Sequence, residues 1–306
     1  MKVIPNGVYP VMITPFTADN KIDWDATQRL INWYDEQGCK GIFAVCQSSE
    51  MFFLSKEERY QLAKFVIDNT PKHMHVVVSG HVAEKLDDQV REAQAIVDAG
   101  AESYVFISNQ FAKENESDDV AMKSIEYLIS HIEAESFGVY ECPAPYKRLL
   151  TPEMLKWMAS TGKFSFLKDT CCDLGQLKAK CDAVKGTDLK IFNANAATLL
   201  ESMKMGVAGY SGVMANFHAK LYAWLVDNYE KEPERAEKLM DFLGAASMVE
   251  CQVYPVNCKY HANLMGVPMD IMTRTKSADL LTGSKKLEIE QFYGIEQTFI
   301  KSFFGE

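Results

Sequence analysis

The sequence predicts a (β/α)8 barrel followed by a C-terminal helical extension. Strand signals and helix signals alternate eight times, and several strands are continuous apolar runs, which is typical of a parallel sheet buried on both faces. The chain has 306 residues, and such barrels routinely exceed ~200 residues as one domain. A doubly wound open sheet is the competing fold, but neither G-x-G-x-x-G after the first strand nor G-x-x-x-x-G-K-[ST] occurs.

The first four strand–helix units have recognisable boundaries. Gly38 stands where the first helix should end, and Ser55 with Glu58 forms a capping box that opens the second helix. Strands are predicted over residues 7–14, 41–46, 75–80 and 103–107. The helices that follow them are predicted over residues 23–37, from residue 55 toward residue 69, in a segment that ends near residue 100, and over residues 117–133.

The second four units continue the alternation. Pro152 occupies the first position of the fifth helix, and Gly206 closes the seventh. Strands are predicted over residues 137–140, 164–168, 189–193 and 208–213, and helices from 151, over 174–184 and over 197–205. Residues 1–216 are therefore predicted to form the barrel. Residues 217–306 are predicted to form its last helix and a helical extension, with breaks near Pro233, Pro255, Pro268 and Gly283.

Composition excludes several classes of function. The net charge of −10 argues against a nucleic-acid or anionic-membrane surface. No apolar stretch approaches the ~20 residues of a membrane span, and the N-terminus has no signal-peptide core. None of the eight cysteines forms C-x-x-C, so the sequence predicts a cytosolic protein with free thiols. His73 and His75 share one strand face, but they have no acidic or sulfur neighbours that would favour a metal site.

The strongest candidate for chemistry is Lys168, because chemistry in a barrel lies at the carboxyl ends of its strands. Lys168 ends the apolar run 164–168. Desolvation there disfavours the ammonium and lowers the lysine pKa, so a nucleophilic amine becomes available for a Schiff base with a carbonyl substrate. The alternative is a solvated or ion-paired lysine beside Asp169.

Two further strand ends carry polar groups that suit this chemistry. Tyr140 ends the fifth strand and is a candidate for proton transfer, or else a core aromatic residue. The turn formed by Gln47, Ser48, Ser49 and Glu50 follows the second strand and offers hydroxyls, although an ordinary loop would look the same. Glu50 is expected to be structural.

These motifs resemble those of the dihydrodipicolinate synthase/N-acetylneuraminate lyase family of pyruvate-handling class I aldolases. The resemblance runs through essentially the whole chain. It rests on G-V-x-P-V-x-I-T-P-F at 7–16, x-S-S-E at 47–50 with L-S-K-E-E-R at 54–59, Y-x-x-P at 140–143 and F-L-K-D-T at 166–170.

The resemblance implies a role for each matching residue. Lys168 would condense with the ketone of pyruvate or another 2-oxo acid, and Tyr140 would shuttle protons. Ser48 would hold the substrate carboxylate, and the predicted binding set also includes Gln47, Ser49 and Thr170. The covalent imine on Lys168 would make a metal or organic cofactor unnecessary. Family members are commonly tetramers built as dimers of dimers, so a homo-oligomer is expected.

The sequence also departs from the family pattern. Phe111 stands where the synthases have a relay tyrosine, and Pro145 stands where they have an arginine that grips the second substrate. Lys147 or Arg148 is a candidate replacement for that arginine. Ala196 and Ala197 occupy positions at which sialic acid lyases have acidic residues. The sequence therefore predicts a lyase or aldolase acting on a 2-oxo acid, but neither a true dihydrodipicolinate synthase nor a sialic acid lyase.

Two alternatives remain open. One is a dehydratase or aldolase acting on a 2-keto-3-deoxy sugar acid through the same imine. The other is a barrel that keeps the lysine but acts as a ligand-binding or regulatory protein.

Overall fold

The computed structural model describes residues 3–305 and confirms the predicted barrel with C-terminal helices. The eight strands are all parallel and are ordered β1-β8-β7-β6-β5-β4-β3-β2. Their bounds are β1 Gly7–Val8, β2 Gly41–Ala44, β3 His75–Val78, β4 Ser103–Ile107, β5 Phe137–Tyr140, β6 Phe164–Asp169, β7 Lys190–Asn193 and β8 Gly209–Tyr210.

Eleven α-helices belong to the described residues. Seven of them alternate with the strands: α1 Trp24–Glu36, α2 Lys56–Asn69, α3 Leu86–Asp98, α4 Asp118–His131, α5 Pro152–Ser160, α6 Leu174–Val184 and α7 Leu199–Lys204. Four follow the last strand: α8 Ala215–Asn228, α9 Pro233–Ala246, α10 Val256–Leu264 and α11 Gly283–Phe304. None of these helices is long and apolar enough to cross a membrane.

The first strand is shorter than predicted. Pro10 has no N–H to donate, so the regular ladder of β1 ends at Val8, although the chain remains extended. Backbone bonds still join this segment to β2: Phe43 N donates to Pro10 O at 2.9 Å, and Met12 N donates to Phe43 O at 3.0 Å. These bonds close the barrel between its first two strands.

Helix starts follow the predicted capping chemistry. Ser55 Oγ accepts from Glu58 N at 3.2 Å while Glu58 Oε2 accepts from Ser55 N at 2.8 Å, so the capping box is confirmed. Helix α7 begins later than predicted because Asn195 Oδ1 accepts from Thr198 N at 3.0 Å, which holds the preceding turn in a non-helical conformation.

Aromatic side chains fill the barrel below the carboxyl ends of the strands. The rings of Tyr9 and Phe192 lie 4.9 Å apart, those of Phe166 and Phe192 lie 4.7 Å apart, and Phe43 packs on Phe166 at 5.8 Å. Because side chains alternate along β6, Phe166 and Lys168 both point inward, with Phe166 one step deeper. The aromatic layer therefore forms the floor of the space around Lys168.

A buried polar contact fixes the C-terminal helices. Glu296 of α11 lies 2.7 Å from His218 Nδ1 of α8 and 2.8 Å from His261 Nε2 of α10. Burial by itself would raise the pKa of Glu296, but the two imidazoles lower it to about 2. The extension is thus held against the last barrel helix by a charged group that is fully partnered on both oxygens.

Candidate active site

Lys168 lies in a buried position at the end of β6. Burial lowers the pKa of Lys168 to about 8, and the neighbouring thiols of Cys46 and Cys142 and the carboxylate of Glu250 oppose only part of that shift. The amine has no hydrogen-bonding partner among the described residues and lies 4.0 Å from the centre of the Tyr140 ring and 5.9 Å from that of Phe43. This environment is that of a desolvated amine beside a cavity, not of a solvated surface lysine.

Tyr140 is held beside Lys168 by strand register. The two residues are direct partners on β5 and β6. The Tyr140 hydroxyl donates to Gln47 Oε1 at 3.2 Å. Burial raises the pKa of this phenol well above its usual value, so it is protonated near neutral pH. The structure therefore brings together a neutralisable amine and a phenol that can donate a proton.

A cavity of about 420 Å³ opens above these two side chains. Gln47 and Ser48 line it, as expected for the turn after β2. The amide of Ser48 donates to no other residue in the described part of the chain, so its N–H is available to an anion. The full lining comprises Gln47, Ser48, Glu50, Tyr140, Pro143, Lys168, Val213, Glu250, Tyr254, Pro255, Thr275 and Lys276.

Two residues of the predicted binding set are engaged elsewhere. Ser49 Oγ donates to Met12 O at 2.6 Å and accepts from Cys46 N at 3.1 Å, so this hydroxyl closes the turn itself. The Thr170 hydroxyl donates to Glu141 O at 2.7 Å. Neither side chain lines the cavity, and their assignment to substrate binding stays a prediction without geometric support.

Glu50 has the structural role expected of it. Its Oε2 accepts from Arg274 N at 2.7 Å and from Thr275 N at 2.8 Å, which fastens the segment before α11 over the turn. Lys259 Nζ lies 3.8 Å from Glu50 Oε1, and burial lowers the pKa of Lys259 to about 8. Lys259 is thus a second desolvated lysine, although it does not line the cavity.

The two candidate replacements for the arginine missing at Pro145 do not reach this cavity. Arg148 Nη1 lies 2.9 Å from Asp118 Oδ1, and its Nη2 donates to the carbonyls of Lys113 and Glu116. Lys147 Nζ donates to Thr170 O at 2.9 Å. Phe111 and Pro145 line a different cavity. The lining of the Lys168 cavity therefore contains no arginine, and its cation besides Lys168 is Lys276 of the C-terminal extension.

Behind the Lys168–Tyr140 pair lies a buried ion cluster that the sequence did not predict. Lys180 Nζ of α6 lies 2.6 Å from Glu141 Oε1 and 2.5 Å from Asp169 Oδ2. Glu141 immediately follows Tyr140, and Asp169 immediately follows Lys168. Because successive side chains along a strand point to opposite faces, the two carboxylates point out of the barrel while Tyr140 and Lys168 point into it. Burial and the adjacent Asp169 carboxylate raise the pKa of Glu141, while Lys180 opposes them. The cluster joins the ends of β5 and β6.

Glu250 and Tyr254 also enter the cavity without any sequence signal. Both come from the connection between α9 and α10, which includes a short 3-10 helix at Ser247–Cys251. Burial raises the pKa of Glu250, and the charge of Lys168 opposes the rise. No motif surrounds these residues, and only the packing of the extension brings them to the barrel.

The described residues contain no group of three or more His, Cys, Asp or Glu side chains arranged to hold a metal ion. His73 Nε2 lies 2.5 Å from Asp35 Oδ1 and His75 Nδ1 lies 2.7 Å from Glu102 Oε2, so the two histidines have separate partners. All eight cysteines lie within residues 3–305 and are free thiols.

A family model and individual relatives of known name point to the same protein family. A family model described as "Dihydrodipicolinate synthetase family" matches residues 4–290. The 4-hydroxy-tetrahydrodipicolinate synthase of Cellvibrio japonicus (strain Ueda107) is 26% identical over 210 residues, covering 69% of this chain and 71% of the relative. That of Methanocaldococcus jannaschii is 25% identical over 274 residues, covering 86% of this chain and 89% of the relative.

Solved structures show the same fold. The crystal structure of YagE, a prophage protein of the dihydrodipicolinic acid synthase family from E. coli K12 in complex with pyruvate, has a TM-score of 0.85 and 21% identity. The match covers 94% of this chain and 98% of YagE. At this level of identity the likeness establishes the barrel and its C-terminal helices, and the chemistry has to be argued from the site.

Proposed function

The chain belongs to the dihydrodipicolinate synthetase family, and on that premise we propose that it is a lyase or aldolase that binds pyruvate, or another 2-oxo acid, as a Schiff base on Lys168. One observation carries the proposal: a lysine whose pKa burial lowers to about 8 lies against a phenol at the floor of a cavity. At pH 7 such a pKa leaves roughly a tenth of the amine neutral, against a few parts in ten thousand for an ordinary lysine. The nucleophile is therefore available where a small ketone can reach it.

The residues around Lys168 have distinct roles in this proposal. The Ser48 hydroxyl and N–H bind the substrate carboxylate. The neutral amine attacks C2 of the 2-oxo acid, and Tyr140 carries a proton from the nitrogen to the carbinolamine oxygen. The carbinolamine oxygen leaves as hydroxide, which is protonated to water as it departs, and the protonated imine that remains accepts the electron pair of a C3–H or C3–C4 bond. In the condensation direction, Tyr140 protonates the oxygen of the aldehyde that reacts with C3 as the carbon–carbon bond forms. In the cleavage direction, Tyr140 takes that proton back.

A 2-keto-3-deoxy sugar acid is the substrate class that one further observation favours. The carboxylate of Glu250 faces the cavity, where it can accept hydrogen bonds from substrate hydroxyls. No arginine lines the cavity, because Arg148 is bonded to Asp118 and to the segment before α4, and Lys276 is the cation of the lining besides Lys168. The Glu250 carboxylate would repel a second substrate carboxylate and accept from hydroxyls, so the lining favours a substrate with one carboxylate and several hydroxyls.

A panel of 2-keto-3-deoxy sugar acids tests the proposal through release of pyruvate, which lactate dehydrogenase and NADH report continuously. We expect turnover of at least one member, with no turnover by Lys168→Arg, because a guanidinium does not give up its proton to attack a carbonyl. Turnover that survives Lys168→Arg contradicts the Schiff base. Absence of turnover and of imine formation with every 2-oxo acid tried would favour the ligand-binding alternative.

A further inference from the structure

A second phenol reaches the cavity from the C-terminal extension. Tyr254 is half-buried and lies in the connection between α9 and α10, just before Pro255. It lines the same cavity as Lys168, Tyr140 and Ser48. The synthases that this sequence resembles have a relay tyrosine in the loop after the fourth strand. This chain has Phe111 at that position, which has no hydroxyl and lines a different cavity. Tyr254 is thus the phenol besides Tyr140 that borders the described site.

The hydroxyl of Tyr254 has two polar neighbours, Asn216 and Ser48. Asn216 Nδ2 makes a long contact of 3.4 Å to Tyr254 Oη, and it also donates to the backbone carbonyls of Val11 and Val213. The orientation of the amide is fixed, because Asn216 Nδ2 also donates to Val11 O at 3.0 Å, and a carbonyl can only accept. The Ser48 side chain hydrogen-bonds to Tyr254, but burial dominates and raises the pKa of Tyr254 well above its usual value. The resting phenol is therefore protonated, and a phenolate formed from it within the site is a strong base.

Tyr140 has a different hydrogen-bonding partner. Its hydroxyl donates to Gln47 Oε1, an amide oxygen that also accepts from Cys142 Sγ at 3.4 Å. An amide oxygen has no proton to pass on, so the Gln47 contact cannot continue a relay, and it favours the protonated phenol. Burial and the Cys142 thiol both raise the Tyr140 pKa. Both phenols are therefore protonated at rest, but they differ in their partners: Tyr140 donates to an amide oxygen, whereas Tyr254 hydrogen-bonds to the Ser48 side chain, whose hydroxyl can both accept and donate a proton.

We propose that Tyr254 is a second acid–base residue of this site and removes the C3 proton of the imine formed on Lys168. This inference rests on the Schiff base proposed above. The hydroxide lost when the imine forms takes the Tyr254 proton and leaves as water. The Tyr254 phenolate then takes a proton from C3, the C3–H electron pair becomes the C2–C3 double bond, and the C–N π pair returns to nitrogen. The products are a neutral enamine and a protonated Tyr254, so charge and protons balance.

Exchange of the pyruvate methyl protons with deuterium oxide measures this step directly by NMR, with no second substrate. Tyr254→Phe should lower the exchange rate about 100-fold or more, the usual contribution of a positioned base. The extent of borohydride trapping by pyruvate should stay near that of the unaltered protein, since solvent can protonate the departing hydroxide. Tyr260→Phe is the matched control, because Tyr260 lies on α10 and its hydroxyl contacts Glu290 outside the cavity.

The outcomes separate this inference from the proposed function. Failure of the unaltered protein to trap pyruvate removes the Schiff base and the inference with it. Normal trapping combined with no exchange in the unaltered protein, or with exchange by Tyr254→Phe within about threefold of normal, overturns the role of Tyr254 alone. If Tyr254→Phe does not fold, a fluorinated tyrosine at position 254 keeps the shape and lowers the phenol pKa. The pH profile of exchange should then shift toward acid, and an unchanged profile overturns the proposal.

Discussion

The amine of Lys168 lies 4.0 Å from the centre of the Tyr140 ring, while the Tyr140 hydroxyl donates to Gln47 Oε1. The amine meets the ring face because the two residues are register partners on neighbouring strands. A ring face attracts an ammonium, whereas burial disfavours it, and burial is the main cause of the lowered pKa of Lys168. The ring of Tyr140 thus packs on the amine, while its hydroxyl is available for proton transfer, and a substitution that removes only the hydroxyl distinguishes the two effects.

Tyr140→Phe should lower turnover by ~100- to ~10,000-fold while the amount of imine that borohydride traps changes much less. The substitution removes the hydroxyl and keeps the ring that packs on Lys168, so the pKa of the amine is preserved. Steady-state kinetics and trapping on the same samples measure the two effects. Near-normal turnover would mean that Tyr140 is a core residue and that another group moves the proton.

The reactivity of Lys168 should titrate with a pKa of about 8. Only the neutral amine attacks a carbonyl, so the rate of imine formation should rise about tenfold per pH unit below that pKa and level off above it. The measurement is the pH dependence of trapping between about pH 6 and about pH 10, with peptide mapping of Lys168. A rate that keeps rising steeply up to the ordinary lysine pKa would show that Lys168 is not desolvated.

Lys180→Met should destabilise the protein by about 3–5 kcal/mol, because it leaves Glu141 and Asp169 buried with no countercharge. Urea denaturation of the purified variant measures the free energy of unfolding. Lys178→Met is the matched control on the same helix. Lys178 forms an exposed pair with Asp182, so its loss should cost no more than about 0.5 kcal/mol. Equal effects of the two substitutions would show that the buried cluster does not hold the ends of β5 and β6.

The protein should condense pyruvate with aspartate semialdehyde poorly. A site that has Pro145 in place of the arginine for the second carboxylate loses on the order of 1.5–3 kcal/mol, which is roughly ten- to a hundredfold in affinity. Phe111 also removes a proton donor, and Arg148 is already bonded to Asp118. The test is a coupled condensation assay beside pyruvate trapping on the same sample. Efficient condensation would mean that Lys147, a residue of the extension or a partner subunit replaces the missing groups.

The fold and the central pair were predictable because their signals are local. Apolar runs, caps and the alternation of strands with helices place Lys168 and Tyr140 at neighbouring strand ends, and parallel strands bring those ends to one face of the barrel. The short β1 follows from Pro10, which the predicted strand over residues 7–14 did not take into account.

The rest of the site depends on distant packing. Glu250 and Tyr254 line the cavity from a connection with no recognisable motif. The helices around that connection come together through distant contacts, such as those of Glu296 of α11 with His218 of α8 and His261 of α10. Spacing alone makes Arg148 a candidate, but its guanidinium binds Asp118 and two backbone carbonyls. The role of Lys180 is not predictable from local sequence for the same reason, because its partners Glu141 and Asp169 precede it by 39 and 11 residues.

Reductive trapping tests the central claim most directly. The protein is incubated with pyruvate and sodium borohydride, digested, and mapped by mass spectrometry, with Lys168→Arg treated in parallel. Lys259, which is also buried with a lowered pKa but lies outside the cavity lining, is the internal comparison. We predict a reduced pyruvyl adduct on Lys168, none on Lys259, and none on either residue in Lys168→Arg. An adduct confined to other lysines, or no adduct with any 2-oxo acid, would contradict the assignment of Lys168 as the Schiff-base residue.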